Sequence, residues 1–119
     1  MRTVFGIAIL CISVVASMVS AQMGNGRVRT GSAIYEEHCA GCHGLTGTGD
    51  GPDAQRLIVP PANLQTRRSR AKTEFELFTI LAYGMAYSPM HGWRDRLSDE
   101  EMLEVIDYIR KIAPYDPAL

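Results

Sequence analysis

The feature that most constrains this chain is a cluster of two cysteines and a histidine within five consecutive residues, Cys39-Ala40-Gly41-Cys42-His43. Two thiols at this spacing can close a tight disulfide, supply half of a metal site, or form thioether bonds to a haem. Each of these chemistries requires different surroundings in the sequence. The rest of the chain therefore decides among them.

The N-terminus predicts export from the cytoplasm. Arg2 precedes an apolar run from Val4 to Val19, and Val19-Ser20-Ala21 matches a signal-peptidase site. We expect residues 1–21 to be a signal peptide and the mature protein to be periplasmic. The alternative is an uncleaved segment that anchors the protein facing the periplasm, although the run is short for a span of about 20 residues. Cleavage would also remove Cys11, the third cysteine.

Helical periodicity predicts three helices in the remaining chain, over about residues 32–39, over 73–83, and between Ser98 and Pro114. No segment shows the period-two alternation of a strand. We therefore expect an all-α domain of three to five short helices and long loops over residues 31–119, after a flexible lead-in at 22–30.

Capping signals and apolar positions define these helices more closely. Ser32 is expected to cap the first helix. The pairs Thr73/Glu76 and Ser98/Glu101 have the spacing of a capping box, and Gly84 stands where the second helix should end. The expected apolar positions are Ala33, Ile34 and Tyr35 in the first helix, Phe75, Leu77, Phe78, Ile80 and Leu81 in the second, and Met102, Val105, Ile106 and Ile109 in the last.

These surroundings favour covalent haem at Cys39 and Cys42. A zinc site would need a second ligand pair, and no further cysteine follows the leader. A redox dithiol is typical of a βαβ context, which the pattern does not show. In the haem interpretation, the thiols add to the two vinyl groups and His43 binds the iron. The glycine- and proline-rich loop over 41–61 is then held in place by the cofactor.

A six-coordinate iron needs a ligand on its other face, and the candidates are Met85, Met90, His91 and His38. His38 adjoins Cys39, cannot reach across, and is expected to be a surface side chain. Met90 is favoured because it follows a proline in a loop between two helices and does not belong to the apolar face of a helix. Met85 and His91 remain alternatives, and His91 would give a lower potential than methionine.

The stretch from about Gly31 to Ile112 resembles class I c-type cytochromes, in particular bacterial monohaem cytochromes c. Gly31 and Tyr35 stand eight and four residues before Cys39, where the family has a glycine and an aromatic. In the family, an aliphatic and an aromatic residue of the last helix pack against that glycine and aromatic, and Val105 and Tyr108 resemble this pair. Residues 42–52 match the pattern C-H-G-x-x-G-x-G-D-G-P, and residues 88–93 and 97–101 resemble the methionine-ligand loop and the final helix.

The resemblance implies a cytochrome c fold around one haem c, with His43 and Met90 as axial ligands. It also implies that a proline carbonyl accepts a hydrogen bond from the proximal histidine; Pro61 is expected, with Pro52 as the alternative. Trp93 is expected either beside the haem and its propionates or in the ordinary core.

The implied function is one-electron transfer between a redox protein donor and an acceptor, not catalysis. The alternative is a haem subunit of a larger dehydrogenase or oxidase complex at a respiratory membrane. The net charge of −1 gives no support for nucleic-acid binding. A small basic cluster is expected to be a solvated loop, with a docking patch or propionate partners as alternatives. It consists of Arg67, Arg68, Arg70 and Lys72.

Overall fold

The computed structural model describes residues 27–117, which form helices joined by long loops. The helices are α1 (Gly31–His38), α2 (Ala40–His43), α3 (Arg67–Arg70), α4 (Glu74–Tyr83) and α5 (Asp99–Ile112), with a 3-10 turn at Ala54–Arg56. Within this part of the chain, strand-type pairing is limited to an isolated bridge between Gly84 and His91. The all-α prediction is confirmed.

The predicted signal peptide, residues 1–21, and most of the lead-in at 22–30 lie outside the described residues. Over residues 27–117, no helix has both the length and the apolar character needed to span a bilayer.

Both predicted capping boxes are present. Thr73 Oγ1 accepts from the backbone N–H of Glu76 at 3.2 Å, and the Glu76 carboxylate accepts from the Thr73 N–H at 2.7 Å. Ser98 and Glu101 exchange the same pair of bonds, each at 3.1 Å. Gly84 ends α4 with φ 76°, a conformation that favours glycine. The first residue of each long helix, α4 and α5, is therefore determined by a capping pair that lies three residues apart in the sequence.

Three expectations about the other elements are wrong. The N-cap of α1 is Thr30, whose Oγ1 accepts from Ala33 N at 3.4 Å, and not Ser32. Ala33 and Phe75 do not face the core, and Phe75 is 79% exposed. The basic segment Arg67–Arg70 is a short helix capped by Thr66, not a loop.

The core forms where α1 crosses α5. A Cβ built on Gly31 would lie 1.8 Å from the carbonyl oxygen of Glu104, so the two helix backbones touch at this point. Around the crossing, the Tyr35 and Tyr108 rings are 5.2 Å apart. The expected contact of Gly31 and Tyr35 with the last helix is thus observed. The most deeply buried side chains are Ile34, Tyr35, Met102, Val105 and Ile106.

Helix α4 packs against α5 from another side and extends this core. It contributes Leu77, Leu81 and Ala82, while Trp93 and Leu97 are added by the segment that leads into α5. Helix α5 covers only part of the apolar surface of α1, α2 and α4. The uncovered part lines a cavity.

Candidate functional site

A cavity of about 300 Å³ lies between α2, α4 and the loops that flank them. This volume falls at the lower end of the roughly 300–1,000 Å³ of small-molecule and cofactor sites. The lining is mostly apolar and brings together segments that are far apart in the sequence. It includes Tyr35, His38, Cys39, Cys42 and His43, the loop residues Leu57, Val59, Pro60, Pro61, Ala62 and Leu64, and, further along the chain, Leu77, Leu81, Met85, Met90, His91 and Trp93.

Cys39 and Cys42 are both free thiols in half-buried positions on this lining. Cys39 ends α1, where its N–H donates to the Tyr35 carbonyl at 2.8 Å, and its own carbonyl accepts from His43 N at 2.9 Å. Burial, and to a lesser degree the neighbouring Cys42, raises the pKa of Cys39 to about 12. Within residues 27–117, no three or more His, Cys, Asp or Glu side chains are grouped so that they could hold a metal ion.

His43 is held in one tautomer. Its Nδ1 lies 3.1 Å from the carbonyl oxygen of Ala62, and since a carbonyl can only accept, Nδ1 carries the proton. Nε2 therefore keeps its lone pair. Burial lowers the pKa of His43, and the bond to Ala62 offsets this only in part. The ring is thus neutral at neutral pH, which is the form that binds a metal, and its orientation is set by a backbone carbonyl.

The acceptor for His43 was expected to be Pro61, with Pro52 as the alternative, and the structure shows Ala62 instead. The reason is the register of the loop. Leu64 N donates to the Gly47 carbonyl at 2.7 Å, which aligns residues 61–64 with residues 47–49. Pro61 still lines the cavity, but its carbonyl faces Gly49, where a Cβ would lie 2.9 Å away.

Met90 reaches the cavity from an ordered turn between α4 and α5. Its carbonyl accepts from Met85 N at 2.8 Å, and its own N–H donates to Ser88 Oγ at 3.1 Å. Met90 is half-buried and packs against the core, whereas Met85 is 50% exposed. His91 is exposed, with its ring 4.4 Å from that of Trp93. All three line the cavity, and Met90 is the least exposed of these candidate ligands.

Trp93 is 7% exposed, and its Nε1 is buried without a hydrogen-bond partner in the described part of the chain. An unsatisfied buried donor costs about 1–3 kcal/mol, so an acceptor in the cavity would stabilise this arrangement. Its neighbour His38 lies 5.1 Å away, ring to ring, and also lines the cavity. The expectation that His38 is a surface side chain is wrong.

Tyr35 has a role that the sequence analysis missed. It is fully buried, lines the cavity, and its hydroxyl donates to the Gly44 carbonyl at 2.8 Å. The bond links α1 to the residue that directly follows His43. The signal was the spacing of four between Tyr35 and Cys39, which places both on one helix face.

The residues present fit a covalently bound haem. The cavity offers two thiols for the vinyl groups, a neutral imidazole with a free Nε2, a thioether sulfur, and an unsatisfied indole donor suited to a propionate carboxylate.

Comparison with known proteins agrees with this chemistry. Residues 26–109 match the family model described as "Cytochrome C oxidase, cbb3-type, subunit III". Over 95 residues the chain is 30% identical to the cytochrome c subunit of alcohol dehydrogenase (quinone) from Gluconobacter oxydans (strain 621H), covering 72% of this chain and 19% of that protein. The chain thus spans about a fifth of the curated relative that it matches.

Solved structures share the fold. The Kuenenia stuttgartiensis reducing HAO-like protein complex Kustc0457/Kustc0458 aligns with TM-score 0.64 and 27% identity, over 70% of this chain and 42% of that one. Cytochrome c6C from Synechococcus sp. PCC 7002 gives 0.54 and 25%, over 71% and 94%. The c-type cytochrome NirC gives 0.51 and 26%, over 71% and 91%. The chain therefore belongs to the cytochrome c family of cbb3-type subunit III, and it is an electron-carrying c-type cytochrome domain with the cytochrome c fold.

Proposed function

We propose that this domain holds one haem c covalently through Cys39 and Cys42 and passes single electrons from one redox protein to another. The observation that carries the proposal is the shared cavity, which is lined by both thiols, by His43 and by Met90. A bound haem supplies an iron that alternates between the ferrous and ferric states.

The protein's own residues set how that iron would behave. Ala62 orients His43 and keeps Nε2 available, while the turn that contains Ser88 holds Met90. If His43 and Met90 both held the iron, no open position would remain for a substrate, which favours a carrier over an enzyme. A methionine ligand and an apolar surrounding both raise the reduction potential relative to two histidines in water.

Trp93 Nε1 is proposed to donate to a haem propionate. This assignment follows from the unsatisfied indole at the cavity wall. It turns a donor that is otherwise buried without a partner into a contact that positions the cofactor. It also gives Trp93 a role beyond its packing in the core.

We propose a periplasmic location, based on the signal peptide that the sequence predicts and on the need of a haem of this type for attachment outside the cytoplasm. A second candidate is a permanent subunit of a dehydrogenase or oxidase complex. It is favoured by the relative named as the cytochrome c subunit of a quinone alcohol dehydrogenase. The size of the native assembly after gentle purification distinguishes a free carrier from a subunit.

The ligand assignment is tested by comparing Met90→Ala with Met85→Ala, since both methionines line the same cavity from the same loop. The wild-type ferric protein should show the weak absorption band of methionine sulfur bound to iron. Met90→Ala should remove the band and lower the reduction potential, and Met85→Ala should keep both. A band that survives in Met90→Ala and disappears in Met85→Ala would refute the assignment.

A further inference from the structure

Arg29 lies just before α1 and contacts three side chains of α1 and α5. Its Nε donates to Glu101 Oε1 at 2.8 Å, and its Nη1 donates to Glu37 Oε2 at 3.1 Å. The same Nη1 lies 3.4 Å from Nε2 of His38. The two hydrogens of Nη1 thus have two partners, a carboxylate and an imidazole. The two carboxylates therefore hold the guanidinium beside the His38 ring.

The contact with Arg29 decides which nitrogen of His38 carries the proton. A guanidinium has donors and no acceptor, so Nε2 of His38 must accept through its lone pair. The proton of the neutral ring is then on Nδ1. In the other tautomer an N–H on Nε2 would oppose the N–H of Arg29. Its alternative acceptor, Glu37 Oε1, is 3.7 Å from Nε2, which is too far for a hydrogen bond.

The donor on Arg29 is permanent. The hydrogen bond to Glu101 raises the pKa of Arg29 above its ordinary value, and the charge of Glu37 acts in the same direction. Free neutral histidine favours a proton on Nε2. Arg29 therefore reverses the ordinary preference of His38.

His38 connects this contact to the wall of the cofactor cavity. The ring is half-buried and lines the cavity, and its centre lies 5.1 Å from that of Trp93. Arg29 does not line the cavity, so it acts there through His38. Within residues 27–117, Nδ1 of His38 has no hydrogen-bond partner, and neither has Nε1 of Trp93. Two neighbouring rings of the wall thus each keep an N–H without a partner.

We infer that Arg29 is a positioning residue of the cofactor cavity, which holds His38 in the Nδ1–H tautomer beside Trp93. His38 then contributes a neutral ring with one unpartnered donor, while its lone pair is bound by Arg29 outside the cavity. The inference rests on the proposed function, because the haem would lie against this wall. A purely structural role, in which Arg29 ties α1 to α5 through Glu37 and Glu101, would leave His38 with its ordinary preference.

The test reads the tautomer of His38 in the reduced haem protein by long-range proton–nitrogen NMR, after labelling with nitrogen-15 histidine. The nitrogen that bears the proton resonates well upfield of the nitrogen with the lone pair. Spectra are recorded at about pH 8, above the ordinary histidine pKa of about 6.5. Low-spin ferrous haem is diamagnetic, and the carbon monoxide adduct serves if the iron is high-spin. We expect the proton of His38 on Nδ1, with its signals assigned from His38→Gln.

Arg29→Met keeps an unbranched side chain and removes the donors. The ratio of the Nδ1–H to the Nε2–H form should fall about fivefold or more, as for the loss of a hydrogen bond of average net strength. The matched control is Arg96→Met, since Arg96 lies over the Trp93 ring at 5.6 Å and makes no hydrogen bond to His38. Arg96→Met should leave the ratio unchanged. Glu37→Gln, which removes the competing carboxylate, should also keep the Nδ1–H form.

A wild-type His38 with its proton on Nε2 would overturn the inference without the need for a variant. A ratio that Arg29→Met leaves unchanged, or that Arg96→Met lowers as far, would overturn it as well. If Arg29→Met lowers the denaturation midpoint while the ratio stays the same, the role of Arg29 is structural alone. Failure of the proposed function is seen separately, as an intact mass without haem, and the tautomer in that same protein still tests Arg29.

Discussion

Replacing Gly31 with alanine tests the helix crossing that frames the site. The new Cβ would lie 1.8 Å from the Glu104 carbonyl oxygen, 2.4 Å from its carbon and 3.1 Å from Tyr108 Cβ. Side-chain carbons do not approach other atoms closer than 3.0 Å, and the two nearest atoms belong to the Glu104 backbone, so α1 and α5 must separate by more than 1 Å. Ile34 and Met102, both fully buried near the crossing, would lose part of their packing.

The expected cost follows from two opposing effects. Overpacking of a core typically costs 1–3 kcal/mol, and a clash with backbone lies at or above the upper end. Alanine in place of glycine in a helix contributes up to about 1 kcal/mol in the opposite direction. We expect a net loss of about 2–4 kcal/mol, and a fall in Tm of roughly 10–25 °C for a domain of this size.

The assay is guanidinium and thermal denaturation of the ferric protein, followed by circular dichroism. The control is Ala33→Gly, two residues further along α1 at an exposed position, which should cost about 1 kcal/mol from helix propensity alone. If Gly31→Ala proves neutral or stabilising while Ala33→Gly behaves as expected, the close contact between α1 and α5 does not exist and the reasoning is refuted.

Three further predictions concern single contacts. Ser98→Ala removes the capping box of α5 and should cost about 1 kcal/mol in guanidinium denaturation, and an unchanged midpoint would show that the cap contributes nothing. Tyr35→Phe leaves the Gly44 carbonyl without its buried donor, so it should cost about 1–3 kcal/mol and move the paramagnetically shifted NMR signals of His43 in the ferric protein, whereas a purely packing role would leave those signals in place. The hydrogen bond from Arg29, and next the one from the Ser98 backbone, lowers the pKa of Glu101 below its usual 4.5. That stabilisation is present above pH 4.5 and lost as the pH falls through the lower, folded-state pKa. The stability difference between wild type and Glu101→Gln should therefore shrink below pH 4.5 in denaturation curves, and a difference that grows on acidification would contradict it.

The parts of the fold that could be predicted are those determined by neighbouring residues. The capping boxes at Thr73 and Ser98 are built from residues three apart, so their pattern is visible in the sequence and is confirmed. The apolar stripe of α5 likewise follows from its helical period: Met102, Val105, Ile106 and Ile109 are all buried.

The wrong predictions concern features that are determined by contacts between segments distant in the sequence. The N-cap of α1 falls at Thr30 instead of Ser32, because Gly31 is already helical where it meets Glu104. Phe75 is apolar, yet it lies about 200° around the helix from Leu77 and so on the face away from the core.

In the candidate site, too, the features set by neighbouring residues were predicted and those set by distant contacts were not. Cys39, Cys42 and His43 were identified from local spacing, and the structure places them together on the cavity wall with Met90. The partner of His43 is Ala62 and not Pro61, because the pairing of Leu64 with Gly47 sets the loop register. A loop register that depends on a hydrogen bond between such distant residues leaves no pattern in the local sequence.

The central claim is that Cys39 and Cys42 carry a covalent haem, and the intact mass of the purified protein tests it most directly. The account predicts a mass above that of the polypeptide by one haem, retained after denaturation, with the haem stain following the protein band. Replacing both cysteines by alanine should abolish the added mass and the stain. A wild-type protein at the mass of the bare polypeptide, produced where haem attachment operates, would contradict the account.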